Sequence, residues 1–231
     1  EDGIRDRSPS RGLGDVYKRQ LDEPLGRGGM GLVWKAWDTA SRRTVALKLL
    51  PPEFHGHDDA IAEVRAAFDL VQAVTHHAIN KAIALAEDER HGPYLVLEFL
   101  PGIPLTQFAK KYRRADGTLP LEMVVEVLRP VAQALDYGHG KGVLHRDVKP
   151  DNILVEDKQG EPGDVWLIDY GLAAEIRATA VTHTNASVDT RGTRPYMAPE
   201  QFKGKRHLWD GRTDQYALAV VAYELLAGRK P

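Results

Sequence analysis

The sequence has no cysteine, which excludes disulfides and thiolate metal centres. Its nine histidines are scattered and form no HExxH pair, so a helix-borne zinc site is not expected. No apolar run approaches the roughly 20 residues needed to cross a bilayer, and no secretory signal is present. The expectation is a cytoplasmic chain with no membrane segment in this stretch. Charge of one sign is also lacking: 31 basic against 33 acidic side chains leave a formal charge of −2, no reason to expect nucleic acid as a partner. What remains is a chain of 231 residues, 42% hydrophobic and 28% charged. That is the composition of a globular protein, with length enough for one large domain or two lobes.

Residues 1–20, EDGIRDRSPSRGLGDVYKRQ, have no hydrophobic period and are rich in Arg, Ser, Gly and Asp, a disordered composition. The stretch also resembles adapter sequence translated as protein, so it is read as a sequencing artefact in preference to a genuine disordered leader. From Leu21 the pattern alternates, and LVWKAWD and RTVALKLL read as strands around a turn. Residues 58–75 read as a helix, because Ile61, Val64, Phe68, Val71 and Val74 recur at steps of three and four. AIALAEDERHGPYLVLEFL reads as two strands, and Pro101-Gly102 as a hinge.

Helix dominates afterwards, over 105–112 and 121–139. Pro130 lies inside the longer one, where a proline costs about 3 kcal/mol and is expected to kink it. Short strands are expected over 153–156 and 165–168, and the Thr- and Ser-rich stretch 177–192 reads as a mobile polar loop. Strands first and helices after give an α+β class in two parts, 21–100 and 101–231. The chain stops within the apolar run YALAVVAYELLAGRKP, so the second part is expected to be incomplete.

Five short motifs carry chemistry. Gly26, Gly28 and Gly31 form G-x-G-x-x-G; glycine lets the backbone approach and cover phosphates. No Lys-Ser/Thr follows, which rules out a Walker loop. Lys48 sits within VALKLL, and an ammonium in an apolar strand needs a partner; it is either a snorkelling edge lysine or a phosphate contact. HRDVKPDN places Asp147, Lys149 and Asn152 at fixed offsets. An aspartate there can accept a hydroxyl proton and an asparagine can hold a metal ion. LIDYG ends an apolar strand on Asp169, a carboxylate suited to Mg²⁺. Ala198-Pro199-Glu200 follows.

In this order the five resemble the signature set of protein kinases, most closely eukaryotic-like Ser/Thr kinases of the bacterial branch, from about Leu21 to Pro231. The resemblance implies a two-lobed kinase fold with a small, mainly antiparallel β lobe bearing one helix and a helical second lobe. It implies ATP and Mg²⁺ as cofactors and protein substrates bearing Ser or Thr. It also implies autophosphorylation, homodimerisation and a membrane anchor elsewhere in the full-length protein. By resemblance Asp147 is the catalytic base, supported by Lys149 and Lys48. Gly26, Gly28, Gly31, Val33, Ala46, Lys48, Glu98, Leu100 and Leu154 bind the nucleotide, with Leu97 as gatekeeper. Asn152 and Asp169 hold the metal. Thr193 lines the substrate site, Asp214 anchors the catalytic loop, and Arg146 receives a phosphate placed between Thr179 and Thr190.

Two departures stand out. Tyr170 replaces the usual phenylalanine after Asp169. The glutamate that normally pairs with the strand lysine falls, by count, on Ala67; Glu63, one turn earlier, is the nearest substitute. That gap keeps alive the alternative of a nucleotide-binding pseudokinase scaffold. A small-molecule kinase is disfavoured, because that class lacks the glycine-rich loop and the Ala-Pro-Glu segment.

Overall fold

The computed structural model describes residues 19–28, 31–88, 91–184, 192–204 and 206–231. Five antiparallel strands come first: β1 (Arg19–Gly28), β2 (Gly31–Asp38), β3 (Arg43–Leu49), β4 (Ala82–Asp88) and β5 (Gly92–Glu98), in the spatial order β1-β2-β3-β5-β4. The turn between β2 and β3 is held by Asp38, whose Oδ1 accepts the Ala40 N–H at 3.0 Å. Arg42 there adopts φ 50°. One sheet face buries Ala36, Val45, Leu47, Tyr94 and Val96. The other, through Ala46, Leu95 and Leu97, meets α1 (Asp58–Gln72), whose Ala60, Val64, Phe68 and Val71 point inward. Asp58 and Asp59 in its first turn complement the positive end of the helix dipole. The helix stops three residues before the expected 75; Val74 stays buried in the chain beyond it.

A short strand β6 (Ile103–Pro104) leads into α2 (Leu105–Tyr112) and the long α3 (Leu121–Gly140), which continues through Pro130. Strands β7 (Ile153–Lys158) and β8 (Glu161–Leu167) join β6 in a three-stranded antiparallel sheet. Their two-residue turn uses Gln159 at φ 59° and Gly160 at φ 107°, the left-handed pair that matches strand twist in a hairpin. Then come α4 (Leu172–Thr184), α5 (Pro199–Phe202) and α6 (Gly211–Ala227). Val127, Val131 and Leu135 of α3 pack with Val221 and Leu225 of α6 and with Ile153 and Leu167 in the second core. No described helix is long and apolar enough to cross a membrane.

Two expectations change. The first strand starts at Arg19, two residues inside the stretch read as leader; Arg19 pairs with Asp38 across the sheet and donates to the Tyr94 hydroxyl at 3.0 Å. Residues 1–18 lie outside the described set. The expected mobile loop 177–192 is helical through Thr184, as the second half of α4. Its Leu172, Ile176 and Ala180 recur every four residues and join the core beneath α1, so apolar burial outweighs the Thr-rich composition. Residues 185–191 of that loop, Ser187 and Thr190 among them, lie outside the described residues.

Candidate active site

A cleft of about 740 Å³ lies between the five-stranded sheet and the helical part. Leu25, Gly26, Val33 and Ala46 line it from the sheet, Leu97 to Gly102 along the connecting chain, and Leu154, Ile168 and Asp169 from the other side. Gly28 and Gly31 face each other at the tip of the β1–β2 hairpin; of the three motif glycines, Gly26 is the one that lines the cleft. Val33 pairs in register with Lys48, and Lys48 with Leu95, so the strand ladder fixes the lysine's direction. The Lys48 ammonium, 4% exposed, donates to Asp169 Oδ2 at 2.6 Å. A buried ammonium needs such a partner.

Asp169 lies beyond β8 at φ 62°, an unusual backbone state for a residue with a side chain. Tyr170 after it is 2% exposed. Its ring meets His145 edge-on, centroids 5.2 Å apart, and its hydroxyl points at the Leu135 and Val143 carbonyls at 3.5 and 3.4 Å. Gly138 makes room: a Cβ there would sit 1.8 Å from the Tyr170 oxygen. Burial pushes the phenol's pKa well above its ordinary value. The tyrosine ring is packed in the core, and the partners of its hydroxyl are backbone carbonyls.

The loop 143–152 is irregular up to a closing 3₁₀ turn, Pro150–Asn152, and its backbone is tied at both ends. Asp214, 1% exposed near the start of α6, accepts the His145 N–H at 2.8 Å and the Arg146 N–H at 2.7 Å. Its Oδ2 also meets His139 Nε2 of α3 at 2.8 Å. Burial alone would raise the pKa of Asp214; the His139 bond, the positive potential of His145 and the two backbone bonds bring it below the ordinary value. Arg146 takes φ 66°, which turns the chain so that Asp147 faces inward.

Asp147 is 2% exposed and surrounded by donors. Lys149 Nζ lies 3.1 Å from its Oδ2, Asn152 Nδ2 2.9 Å from the same oxygen, and the Thr193 hydroxyl 3.1 Å from Oδ1. Lys149 also donates to Thr193 at 2.9 Å. Burial pushes the Asp147 carboxyl up, but the charges of Arg177, Lys149 and His145 hold it below the ordinary range, so it is ionised at neutral pH. Asn152 also donates to the Asp147 carbonyl at 2.7 Å. Its backbone carbonyl accepts from Ile168 N–H at 2.9 Å, which ties the Asp147 loop to the strand end bearing Asp169.

The donor set suits Mg²⁺ held jointly with phosphates. Asp169 and Asn152 both line the cleft, and with its amide nitrogen spent on Asp147, Asn152 keeps its oxygen for a ligand role. One carboxylate and one amide oxygen are the sparse protein ligation typical of a phosphate-bound Mg²⁺.

The structure brings Gly26, Lys48, Asp147, Lys149, Asn152 and Asp169 together in and around the cleft, but leaves Gly28 and Gly31 out of its lining and does not pair Glu63 with Lys48. Glu63 Oε2 accepts from the Thr179 hydroxyl at 3.0 Å and Oε1 meets His183 Nε2 at 2.9 Å, both on α4. Ala67 is partly buried against the core under α1. Sequence reasoning missed four contributors. Arg177 donates to Asp147 Oδ2 at 2.9 Å. Glu175 pairs with Arg146 at 3.0 Å, where a phosphate was expected. Asn80 lines the cleft and donates to the Glu98 carbonyl at 2.9 Å. His139 supports Asp214. The four-residue spacing of Leu172, Ile176 and Ala180 was the available signal for the first two. Glu200 accepts from the Thr213 hydroxyl at 2.7 Å.

The comparisons agree with this geometry. Residues 19–231 match the protein kinase domain family. Serine/threonine-protein kinase PknA of Mycobacterium tuberculosis is 34% identical over 228 residues, covering 97% of this chain and 50% of PknA. PknL of the same species is 34% identical over 231 residues, covering all of this chain and 54% of PknL. The chain thus spans about half the length of the curated relatives it matches. A crystal structure of the M. tuberculosis PknI kinase domain, a double mutant, superposes with a TM-score of 0.72 at 28% identity, over 93% of this chain and 77% of that one. The chain belongs to the protein kinase domain family, with the antiparallel-sheet lobe and helical lobe of that fold.

Proposed function

We propose that this chain transfers the γ-phosphoryl group of ATP to Ser or Thr hydroxyls of protein substrates. The observation that carries the reading is the juxtaposition of an ionised, buried Asp147, flanked by Lys149 and Thr193, with the Lys48–Asp169 pair at the cleft. Lobe limits near 21–100 and 101–231 belong to the same proposal, with the first moved back to Arg19. So does nucleotide binding by Gly26, Gly28, Gly31, Val33, Ala46, Lys48, Glu98, Leu100 and Leu154.

The chemistry asks little of the protein beyond placement and charge. Val33, Ala46 and Leu154 offer an apolar slot for a planar base, and Leu100 offers backbone hydrogen bonding beside it. The Glu98 carbonyl, already bonded to Asn80, has a second lone pair to give. The substrate hydroxyl oxygen attacks the γ-phosphorus, the bond to the β–γ bridging oxygen breaks, and ADP departs. Asp147 accepts the hydroxyl proton. Lys149 offsets charge on the equatorial oxygens, and Lys48 steadies the phosphates. Asp169 and Asn152 would hold Mg²⁺, which supplies Lewis-acid neutralisation of phosphate charge.

Autophosphorylation is included in the proposal. Of the described hydroxyls in the window starting at Thr179, Thr182 is exposed and Thr179 buried, which makes Thr182 the accessible acceptor. Homodimerisation, and membrane anchoring of the full-length protein, are carried as implications of the resemblance. The scaffold alternative rests on Ala67, whereas Lys48, Asp147, Asn152 and Asp169 are all in place.

The test is ³²P transfer from Mg-ATP to a Ser/Thr peptide library by the purified chain, with Asp147→Asn beside it. Signal in the parent and none in the variant supports the reading. Equal signal in both removes Asp147 from the chemistry.

A further inference from the structure

The chain between α1 and β4 is pinned from two sides. The Leu167 N–H donates to the Ala78 carbonyl at 2.8 Å, and the Asn80 N–H to the Leu167 carbonyl at 3.0 Å. These bonds frame a parallel bridge between Ile79 and the end of β8. On the other side the Glu98 N–H donates to the Lys81 carbonyl at 2.9 Å. Asn80 therefore stands on fixed backbone where the end of β8 approaches the end of β5.

Its side chain is out of keeping with its surroundings. Asn80 is 8% exposed and lines the cleft in company with the apolar Ala46, Leu97 and Ile168. A carboxamide in such a place needs partners for its donors and for its acceptor. Nδ2 has one, the Glu98 carbonyl at 2.9 Å. That bond also decides which way the amide is turned, because the flipped form would set oxygen against oxygen. Oδ1 has no hydrogen-bond partner among the described residues. It is not one of the sealed side-chain atoms that lack a partner, so it opens onto the cleft. The Glu98 carbonyl beside it keeps a second lone pair. Asn80 makes no hydrogen bond with Lys48 or Asp169 among the described residues; those two pair with each other.

The cleft thus presents two acceptors together where the slot of Val33, Ala46 and Leu154 meets the connecting chain. Two acceptors suit one group that carries two hydrogens. The exocyclic amine of a planar base supplies both. A ring carbonyl at the same position supplies none and turns its own lone pairs on the two oxygens. Sites built to bind an N–H reject an analogue that lacks it, because their own polar groups are then left unpaired.

We propose that Asn80 is a base-specificity residue: its Oδ1 and the Glu98 carbonyl accept the two hydrogens of the amine on a 6-aminopurine nucleotide, and together they turn away a 6-oxopurine. The proposal rests on the nucleotide reading above and deepens it. The pinned backbone matters here, because an acceptor already in position loses little freedom when the base arrives.

The test uses the 231-residue chain and calorimetric binding of three Mg²⁺-nucleotides: ATP, inosine triphosphate with its 6-oxo group, and purine riboside triphosphate with hydrogen at that position. Asn80→Val removes both polar atoms at similar volume, and Asn80→Ala trims the side chain further. Each preference is a ratio taken within one protein, so a general loss of binding cancels. In the parent, ATP should bind roughly a hundredfold tighter than the inosine nucleotide, about tenfold for each hydrogen bond, with the purine riboside between them. In both variants the ratio of ATP to inosine nucleotide should shrink by roughly tenfold, the factor carried by about 1.4 kcal/mol. A ratio unchanged in both variants, or a parent that binds the three alike, overturns the role of Asn80 and leaves the nucleotide reading standing. No binding of any of the three to the parent overturns both.

Discussion

The loop 143–152 that carries Asp147 and helix α4 meet at that aspartate and are built in opposite ways. The loop is irregular, yet its backbone is fixed at named atoms: two N–H groups on Asp214, the Asp147 carbonyl on Asn152, and the Arg146 carbonyl on Gln201 Nε2 at 3.0 Å. The helix is regular, yet it touches that loop through side chains alone, Arg177 to Asp147 and Glu175 to Arg146. Regularity is therefore a poor guide to which of the two moves. A segment held by side chains and one apolar stripe can open sub-globally at less cost than a loop whose backbone groups are buried and paired.

The sharpest break in the comparison is at Asp147 itself. Under the proposed function Asp147→Asn removes the proton acceptor, and a positioned general base contributes about 10²- to 10⁴-fold in rate. Turnover should fall by that order, while nucleotide binding measured by calorimetry changes little, since Asp147 is not among the residues lining the cleft. Asp169→Ala should do the reverse and abolish the Mg²⁺ dependence of nucleotide binding. Identical binding losses in the two variants would show that the two aspartates do not divide the work.

Asp214→Ala tests the loop's anchorage. It leaves two buried backbone N–H groups without an acceptor, each worth about 1–3 kcal/mol, so urea unfolding should show a loss of about 2–6 kcal/mol. A pH dependence follows. The folded carboxyl of Asp214 titrates below an ordinary aspartate, so its stabilising ionisation is complete above the unfolded value, about 4. That contribution disappears as pH falls through the lower folded value. On going from about pH 5 to about pH 3, the parent should lose more stability than Asp214→Asn, because the variant has already lost the titrating group.

Much of the site was legible because its chemistry needs particular residues at fixed offsets. Lys48, Asp147, Lys149, Asn152 and Asp169 were singled out by the order and spacing of their motifs together with the kinase resemblance those motifs carry, and the β2–β3 strands by apolar alternation. What could not be read depended on the third dimension. Glu63 lies one turn from where a lysine partner was expected, and whether it reaches Lys48 is decided by what else docks on α1. Residues 177–184 looked like loop because threonine and alanine weigh against a core assignment; the burial of Ile176 and Ala180 against α1 supplies what composition conceals.

Gly138 shows the same principle at one atom. A single glycine in a long helix costs about 1 kcal/mol relative to alanine, so its presence in α3 predicts a compensating contact. That contact is the Tyr170 hydroxyl. Gly138→Ala should destabilise the chain by about 1–3 kcal/mol from overpacking, despite better helix propensity. Tyr170→Phe should be milder, under about 1 kcal/mol, since its two hydrogen bonds at 3.5 and 3.4 Å are long. A Gly138→Ala variant as stable as the parent in thermal unfolding would mean that Tyr170 moves aside freely.

The smallest effect is expected where α4 meets Arg146. The Arg146 and Glu175 side chains are 32% and 23% exposed, and a partly solvated pair of this kind contributes about 0–1 kcal/mol. Glu175→Gln keeps the shape and removes the charge, so the global unfolding free energy should drop by less than about 1 kcal/mol. The same change bears more heavily on docking than on folding, because α4 can open without the rest of the chain. Amide exchange over 172–184 should therefore accelerate by a few fold while exchange in α3 and β7 stays as in the parent. Uniform acceleration across all three would mean that helix and loop open as one unit, and the difference between them would reduce to geometry without a separate motion.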